Sequence, residues 1–383
     1  MTRTSAEWTA PPSGAVASRM VIGGDVAAIV VAGDGGAATL VGHVPGTDLP
    51  RWQTPLPEVI ASSALAAPQV GASPDGATLY VAQHSTVAAV ASADGAVRWS
   101  RSVPEVEPFE SYSIEHPIVA DRARLYLLSR YRRLIAVDAA TGALAWRVDE
   151  VEPARALVLE AGVVITRSAE RDELRAYDAV TGAPRWQRAL TPAPQSLVHE
   201  SAWAMQTASH RDGLALVVDG DRTVIAIEVA TGATRWEEPI VAPATWAWAG
   251  ARLVLADAAS VRAIDPVAGT VVWRHPTGGA ARVAAIDAEV VALALPSAVA
   301  VVEVATGAIR EIARHRLHDD DRVVAIGDGG AVIAADGTAH WYVRGGSGLR
   351  ERAIGDTSLV QIELVAGGAL TLDRGGTLRR FVR

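Results

Sequence analysis

The sequence predicts an all-β fold, a single β-propeller of four-stranded antiparallel blades that spans residues 1–383. The main observation is a phrase that recurs along the chain: an acid, then Thr-Gly, then Trp four residues after the glycine. It reads "VDAATGALAW" and returns as "YDAVTGAPRW" and "IEVATGATRW". Its successive tryptophans lie 37 to 50 residues apart, close to the ~40–50 residues of one blade. The period therefore indicates one blade per repeat.

The segments between the tryptophans divide into short strands. Residues 245–276 contain "TWAWAG", "RLVLADA", "VRAIDPV" and "TVVWRH" in succession. Runs of Val, Ile, Leu and Ala of this length, bounded by Gly and Asp, are typical of buried strands. No stretch shows a helical apolar period over 11 residues, so we expect no helix.

Each part of the phrase has a physical role. Asp138 ends the third strand, where its carboxylate can accept hydrogen bonds from backbone N–H groups two residues on. Gly142 supplies the positive φ that a tight hairpin needs. Trp146 then places a large ring between neighbouring blades, where it buries about 150–250 Å². The predicted docking tryptophans on outer strands are Trp8, Trp52, Trp99, Trp146, Trp186, Trp236 and Trp273.

The phrase resembles the repeat of pyrroloquinoline-quinone-like (quinoprotein-like) β-propellers, in which a tryptophan docking motif packs the blades. The resemblance covers about residues 85–275 and is weaker on either side. It implies a propeller fold and little about activity, since propellers host many functions. The dehydrogenases of that family are much longer chains that often place adjacent cysteines against the quinone. This chain has no cysteine and no recognisable set of Ca²⁺ ligands, so we expect no quinone. The sequence points to no other cofactor, and none is expected.

The two ends of the chain predict how the ring closes. The last segment supplies only three strands, "LVQIELV", "ALTLD" and "TLRRFVR". Trp8 has a sequence context similar to that of Trp52, so residues 4–10 are predicted to form the outer strand of the last blade. Counting strand sets gives nine blades, with eight as the alternative. Glu311 and Arg352 occupy the tryptophan position in two repeats, where we expect looser packing.

Composition excludes several classes of function. The formal charge is −8 and the pI about 5.6, which argues against nucleic acid or an anionic membrane as a partner. No apolar run of 18 residues is present, so no membrane-spanning segment is expected. The first residues lack the apolar core of a secretory signal. From these features we expect a cytoplasmic, monomeric protein.

The longest and most varied loops are predicted at one end of the blades, where strand two turns into strand three and the chain crosses to the next blade. Binding residues concentrate on such loops. The long loops are the segments 104–116, 191–203 and 313–322. Several arginines of these loops could bind carboxylates or phosphates through paired hydrogen bonds. Alternatively, these arginines end exposed strands and stay solvated. The candidate binding residues on these loops are Phe109, Tyr112, His116, Arg130, Tyr131, Arg132, Arg171 and Arg222.

Two further features leave alternatives open. Trp246 and Trp248 lie two apart on an innermost strand and point the same way, either towards a central channel as a stacking platform or into the packing between blades. The segment "HRLHDDD" (residues 315–321) contains His and Asp, but its spacing matches no recognised metal site, and we expect a solvated acidic loop and no metal.

These observations favour a non-catalytic scaffold that presents its long-loop end to a protein partner. No nucleophile elbow, phosphate-binding loop or dinucleotide fingerprint occurs, and no catalytic residue is assigned. The alternatives are an enzyme of the lyase or cyclase type without a quinone, and a propeller that binds a small molecule or sugar in its funnel. Whether the chain is an enzyme is left open, and the sequence favours a protein without enzymatic activity.

Overall fold

The computed structural model describes most of the chain in short ranges. The described residues are 8–10, 15–16, 18, 20–32, 37–44, 47, 49–60, 68–83, 86–103, 118–129, 133–149, 154–168, 172–192, 210–220, 222–242, 244–279, 281–285, 288–295, 298–313, 322–326, 330–335, 338–343, 350–353, 359–365, 368–373 and 378–382. Within them every element is a strand, and no helix there is long and apolar enough to cross a membrane. From residue 310 onwards only the backbone is described.

Thirty-seven strands are found in these ranges, and they form nine antiparallel sheets. The first strand, β1 (Trp8–Ala10), belongs to sheet 9. Sheet 1 contains β2 (Ala15–Val16), β3 (Val21–Gly23), β4 (Val26–Ala32), β5 (Ala37–His43) and β6 (Trp52–Ile60). Sheet 2 contains β7 (Gln69–Ala72), β8 (Thr78–Gln83), β9 (Thr86–Ala91) and β10 (Val97–Ser102). Sheet 3 contains β11 (Val119–Ala120), β12 (Arg124–Ser129), β13 (Arg133–Asp138) and β14 (Leu144–Val148). Sheet 4 contains β15 (Ala154–Glu160), β16 (Val163–Ser168), β17 (Glu173–Asp178) and β18 (Pro184–Ala189).

The second half of the chain repeats this plan. Sheet 5 contains β19 (His210–Arg211), β20 (Leu214–Asp219), β21 (Thr223–Glu228) and β22 (Thr234–Pro239). Sheet 6 contains β23 (Thr245–Ala249), β24 (Arg252–Ala256), β25 (Ser260–Ile264) and β26 (Val271–Pro276). Sheet 7 contains β27 (Arg282–Ala285), β28 (Val290–Leu295), β29 (Ala298–Glu303) and β30 (Ile309–Ala313). Sheet 8 contains β31 (Arg322–Ile326), β32 (Gly330–Ala335), β33 (Thr338–Val343) and β34 (Arg350–Ala353). Sheet 9 contains β35 (Leu359–Val365), β36 (Gly368–Asp373), β37 (Leu378–Val382) and, next to β37, β1.

The chain divides into two compact units. The first comprises Met1–Arg188, Val360–Val365 and Ala369–Val382, and so holds sheets 1 to 4 and nearly all of sheet 9. The second comprises Ala189–Leu359, Ala366–Gly368 and Arg383, and holds sheets 5 to 8. Sheets 2 to 8 are each built from four strands that follow one another in the chain.

In the first unit the core lies between neighbouring sheets. On β8, Leu79 and Val81 pack in a cluster with sheet 1, whereas Tyr80 and Ala82 pack in a cluster with sheet 3. Successive side chains on a strand point to opposite faces, so a strand between two sheets buries all of them. All six residues of β8 are buried. This explains why the inner strands read as continuous apolar runs rather than as an alternating pattern.

The outer strands are more exposed, and in β10 and β14 the tryptophan is the one buried residue. In β10 the sole buried residue is Trp99. The indole N–H of Trp99 donates to the Ala139 carbonyl of sheet 3 at 3.0 Å. Trp146 repeats this contact on sheet 4, donating to the Ala179 carbonyl at 3.1 Å. The same contact is made by Trp52 with Ser92, Trp236 with Pro266 and Trp273 with Val304.

A glycine in the receiving turn makes room for each ring. Gly182 has a φ of 72°, and a Cβ built there would lie 2.7 Å from the Trp146 ring. Gly142 has a φ of 71°, and its Cβ would lie 2.6 Å from the Trp99 ring. The glycine is therefore required twice, once by its left-handed backbone and once by the tryptophan above it.

The acid of the phrase organises the same turn. Oδ1 of Asp138 accepts hydrogen bonds from the Ala140 N–H at 3.1 Å, the Thr141 N–H at 2.9 Å and the Thr141 hydroxyl at 2.8 Å. The hydroxyl bond is the main cause of a pKa below the ordinary value for the Asp138 carboxyl. The turn ends in a bulge, because Trp146 pairs with Ala136 but Leu144 pairs with Val137.

We predict that Gly182→Ala destabilises the protein more than Gly162→Ala. Gly162 has nearly the same φ, 73°, but nothing within 4 Å of a Cβ, so its substitution costs only the left-handed backbone penalty of about 1–2 kcal/mol. Gly182→Ala should add an overpacking cost of about 1–3 kcal/mol. Denaturant unfolding of the two variants measures the difference. Equal costs would show that the Trp146 ring does not press on the turn.

Candidate interaction surface

Each sheet has two ends, and the predicted binding loops belong to one of them. We use "loop end" for the end where the second strand turns into the third and the chain crosses to the next sheet. The "hairpin end" carries the phrase turns. Seven candidate residues, Phe109, Tyr112, His116, Arg130, Tyr131, Arg132 and Arg171, lie outside the described residues, as does the segment 315–321. Arg222, Trp246 and Trp248 are described, all in the second unit.

The two tryptophans of β23 pack against sheet 5. Trp246 is buried in a cluster with β20 side chains such as Leu216, and the half-buried Trp248 packs on the same cluster. The Arg211 guanidinium lies 5.9 Å from the centre of a Trp248 ring, within cation–π range. This is the packing between sheets that the sequence left open. Within the described part of the chain, neither buried indole N–H has a hydrogen-bond acceptor.

Arg222 lies on a series of hydrogen bonds that links the loop ends of sheets 5 and 6. The exposed Arg222 belongs to the turn before β21, and its carbonyl accepts the Ile240 N–H at 2.7 Å. One residue on, the Val241 carbonyl accepts the Ala258 N–H at 3.0 Å. Ala259 in turn accepts the Thr277 N–H at 3.1 Å. Turns and crossings are thus bonded alternately, and we call this series the loop-end belt.

The belt begins at the crossing that enters sheet 5. Asp219, at the end of β20, accepts a hydrogen bond from the Thr191 N–H through its carboxylate. The Thr191 carbonyl accepts the Gly220 N–H at 3.1 Å. Gly220 has a φ of 64°, so the turn needs a residue that tolerates a left-handed backbone. The crossing is therefore held through both the N–H and the carbonyl of Thr191.

Asp257 fixes the centre of the belt. Its Oδ1 accepts the N–H groups of Ala259 and Ser260, both at 2.8 Å. Its Oδ2 accepts from Arg262 Nη1 at 2.8 Å and from the Val241 N–H at 3.3 Å. Burial acts to raise the pKa of this carboxyl, but the Arg262 guanidinium and the two backbone donors outweigh burial and lower the pKa. The carboxylate is thus held in its charged form.

Arg262 connects Asp257 to the previous sheet. Its side chain is 1% exposed, and it donates to the Ser260 hydroxyl at 2.7 Å and to the Pro239 carbonyl at 2.6 Å. Its Nε lies 2.7 Å from Oε1 of Glu238, on β22. That contact is an ion pair without a directed hydrogen bond, since the Nε–H meets no acceptor in line. Arg262 therefore ties the exit of sheet 5 to the turn of sheet 6.

The acidic and basic side chains of this region differ in burial. Glu238 and Asp257 are buried, and both are compensated by Arg262. Arg274 also pairs with Glu238, and its side chain is 52% exposed. Arg274 and the exposed Arg222 therefore lie at the surface, whereas the two acids lie beneath it. Val241 lies among them on the belt and is 54% exposed.

The first unit has a related cluster around one buried acid at the loop end of sheet 4. Glu173, the first residue of β17, is buried. Its Oε1 accepts from Arg175 Nε at 2.5 Å, and its Oε2 accepts from Gln187 Nε2 at 2.6 Å. In neither unit do the described residues include a group of three metal-ligating side chains. Both clusters fix the ends of the strands that contribute their side chains.

Sequence reasoning missed these buried charges. Arg262 and Glu173 each stand within an apolar strand, "SVRAI" and "ELRAY". A single charge inside such a run is a signal, because Arg and Glu are seldom buried unless paired. Their partners Glu238 and Gln187 come from other strands, so the pairing itself could not be inferred from the sequence.

We predict that Arg262→Met destabilises the protein strongly, whereas Arg252→Met changes stability little. Both arginines donate to an aspartate of sheet 6, but Asp257 is 2% exposed and Asp265 is 34% exposed. Removing one partner of a buried pair leaves an uncompensated charge and costs about 3–5 kcal/mol. Chemical denaturation compares the two variants. Similar small losses would show that the buried network carries no stability.

Comparison with known proteins supplies a family. A family model described as "Outer membrane protein assembly factor BamB" matches residues 83–246 and 170–316, which together make up more than half of the chain. None of the curated proteins compared with the chain matches it.

Similar solved structures include BamB from Moraxella catarrhalis, at a TM-score of 0.57 and 14% identity over 100% of this chain and 99% of that one. Another is Sqt1 from Saccharomyces cerevisiae, at a TM-score of 0.55 and 10% identity over 100% of both chains. At such identities the likeness shows the fold alone, and that fold is β-propeller-like. From the extent of the family match, the chain belongs to the family described as outer membrane protein assembly factor BamB.

Proposed function

We propose that the chain is a non-catalytic scaffold that presents the loop ends of its sheets to a protein partner. The observation that carries this proposal is the loop-end belt, in which consecutive turns and crossings are bonded to one another over Asp257 and Arg262. Exposed residues on this belt, Val241 above all, sit on backbone that is already ordered. A surface ordered before binding loses less entropy when a partner docks.

The family description supports a protein as the partner. An "outer membrane protein assembly factor" is named for a role in assembling other proteins. Loops held by a rigid framework are also where binding residues concentrate. The cytoplasmic location expected from the sequence stays a prediction that cell fractionation can test.

We further propose that residues 1–383 form one closed propeller of nine blades packed by docked tryptophans. Nine sheets occur in the described ranges, and five tryptophans make the same contact with the following sheet. The pairing of β1 with β37 brings the two ends of the chain into one sheet. A ring of eight blades would contain only eight of these nine sheets.

We predict that Val241→Glu abolishes capture of a protein partner, whereas Val267→Glu retains it. Both valines belong to the sheet 5–6 region and are similarly exposed, at 54% and 64%. Val241 lies on the loop-end belt, whereas Val267 lies in the phrase turn at the hairpin end. The measurement is affinity capture from extract of the native cell with each variant as bait.

The pair of variants makes the result decisive. A protein that binds the unchanged chain and Val267→Glu but not Val241→Glu supports the loop end as the binding surface. Loss with Val267→Glu alone would place the surface at the hairpin end. Failure of the unchanged chain to retain any protein specifically would contradict the scaffold role.

A further inference from the structure

The loop end of sheets 5 and 6 exposes arginines above buried acids. Glu238 and Asp257 are buried, and both are paired with the buried Arg262. Arg274 is 52% exposed, and Arg222, whose carbonyl belongs to the loop-end belt, is exposed as well. The whole chain carries a formal charge of −8. The cations of this surface therefore stand out against an acidic protein.

Arg274, on β26, has a guanidinium that is oriented but only partly used. Its Nη2 donates to Oε1 of Glu238 at 2.5 Å, and the same oxygen lies 2.7 Å from Nε of Arg262. Glu238 therefore has a second cation of its own beneath the surface. Among the described residues, Nε and Nη1 of Arg274 have no acceptor. Because a guanidinium carries five N–H donors in a fixed plane, this side chain can bind a further carboxylate while it keeps Glu238.

Val241 supplies an apolar contact on the same belt. Its side chain is 54% exposed, and its backbone is fixed through its N–H, which donates to Asp257. The last residues of β22 and β26, Pro239 and Pro276, are exposed as well. The described part of this surface thus joins a small apolar area to exposed arginines.

Two further acids of this region differ from these arginines in exposure or direction. Asp219 is half-buried, and its carboxylate accepts the Thr191 N–H. Glu237 is exposed, but neighbouring residues of a strand point to opposite faces. It therefore points away from the face on which Glu238 meets Arg274. Within the described loop end, that face exposes a cation and no acid.

We propose that the partner of the loop-end belt docks an acidic segment there, with a carboxylate on Arg274 and an aliphatic side chain on Val241. This inference rests on the proposed function, because it names the chemistry of the partner that the scaffold would bind. Patches of opposite charge meet across protein interfaces, which speeds encounter and excludes wrong partners. Arginine is also enriched in interfaces and among the residues that dominate their binding energy.

The first test uses a library of random dodecapeptides displayed on phage and selected on the immobilised full chain. The selected pool is depleted on Val241→Gln, a neutral change, so that the peptides kept are those that need Val241. We expect Asp and Glu to be enriched over Lys and Arg, next to an aliphatic residue. Enrichment of neutral or basic peptides, or of no peptide, would overturn the proposal.

The second test asks for the sign of the charge at one position. A fluorescein-labelled copy of the most enriched peptide is titrated with Val241→Lys and Val241→Glu and followed by fluorescence anisotropy. We expect the lysine variant to bind about tenfold more tightly. The difference should shrink at about 1 M salt, where the screening length is about 3 Å.

Equal losses in the two variants would mean that the contact is apolar only, and would overturn the acidic segment while leaving the scaffold function standing. Failure of the scaffold function shows separately, as capture of whole proteins that Val241→Glu does not reduce.

The third test compares Arg274→Gln with Arg235→Gln as its matched control. Both arginines lie on outer strands of the second unit and pair with a glutamate, and their side chains are 52% and 44% exposed. Arg235 follows the phrase turn at the hairpin end. We expect Arg274→Gln to weaken peptide binding about threefold and Arg235→Gln to leave it unchanged, with equal melting temperatures. Equal effects of the two variants, including no effect, would overturn the proposal.

Discussion

The structure depends on one contact, the tryptophan of an outer strand resting on the glycine turn of the next sheet. Trp146 shows its parts: the indole N–H donates to the Ala179 carbonyl, and the ring lies where a Cβ of Gly182 would stand. Inner strands supply the larger apolar area, but their Val, Leu and Ala side chains fit many alignments. The indole has one donor and one flat shape, so it fixes how one sheet lies on the following one.

The contact explains why the repeated acid, Thr-Gly and Trp phrase predicts the fold from the sequence alone. The acid, threonine, glycine and tryptophan all lie within one turn and the strand after it. Because these residues are close together in the sequence, their fixed spacing reveals the turn without knowledge of the rest of the fold. Asp138 and Gly142 shape the hairpin turn, and the bulge after the turn places Trp146 opposite Ala136. The pairing of β1 with β37 was also predictable, because a count of strands leaves the last set one short.

Other features depend on residues that are distant in the sequence. Arg262 reads as an isolated charge, and only the structure brings Glu238, Asp257 and the Pro239 carbonyl around it. Likewise the sequence placed Trp246 and Trp248 on one side of a strand but could not say which neighbour they face; the structure packs both against sheet 5. The hairpin ends are thus fixed by local residues, whereas the loop ends of sheets 4 and 6 are fixed by buried charges whose partners come from other strands.

A double-mutant cycle between Trp146 and Gly182 tests the central contact most directly. The free energy of unfolding is measured for the unchanged chain, Trp146→Ala, Gly182→Ala and the double variant. If the ring and the turn press on each other, Gly182→Ala costs less once the ring is gone. The account predicts a coupling of about 1 kcal/mol or more, in the range found for residues in contact. Costs that simply add would show that the two residues act independently, and would contradict the account.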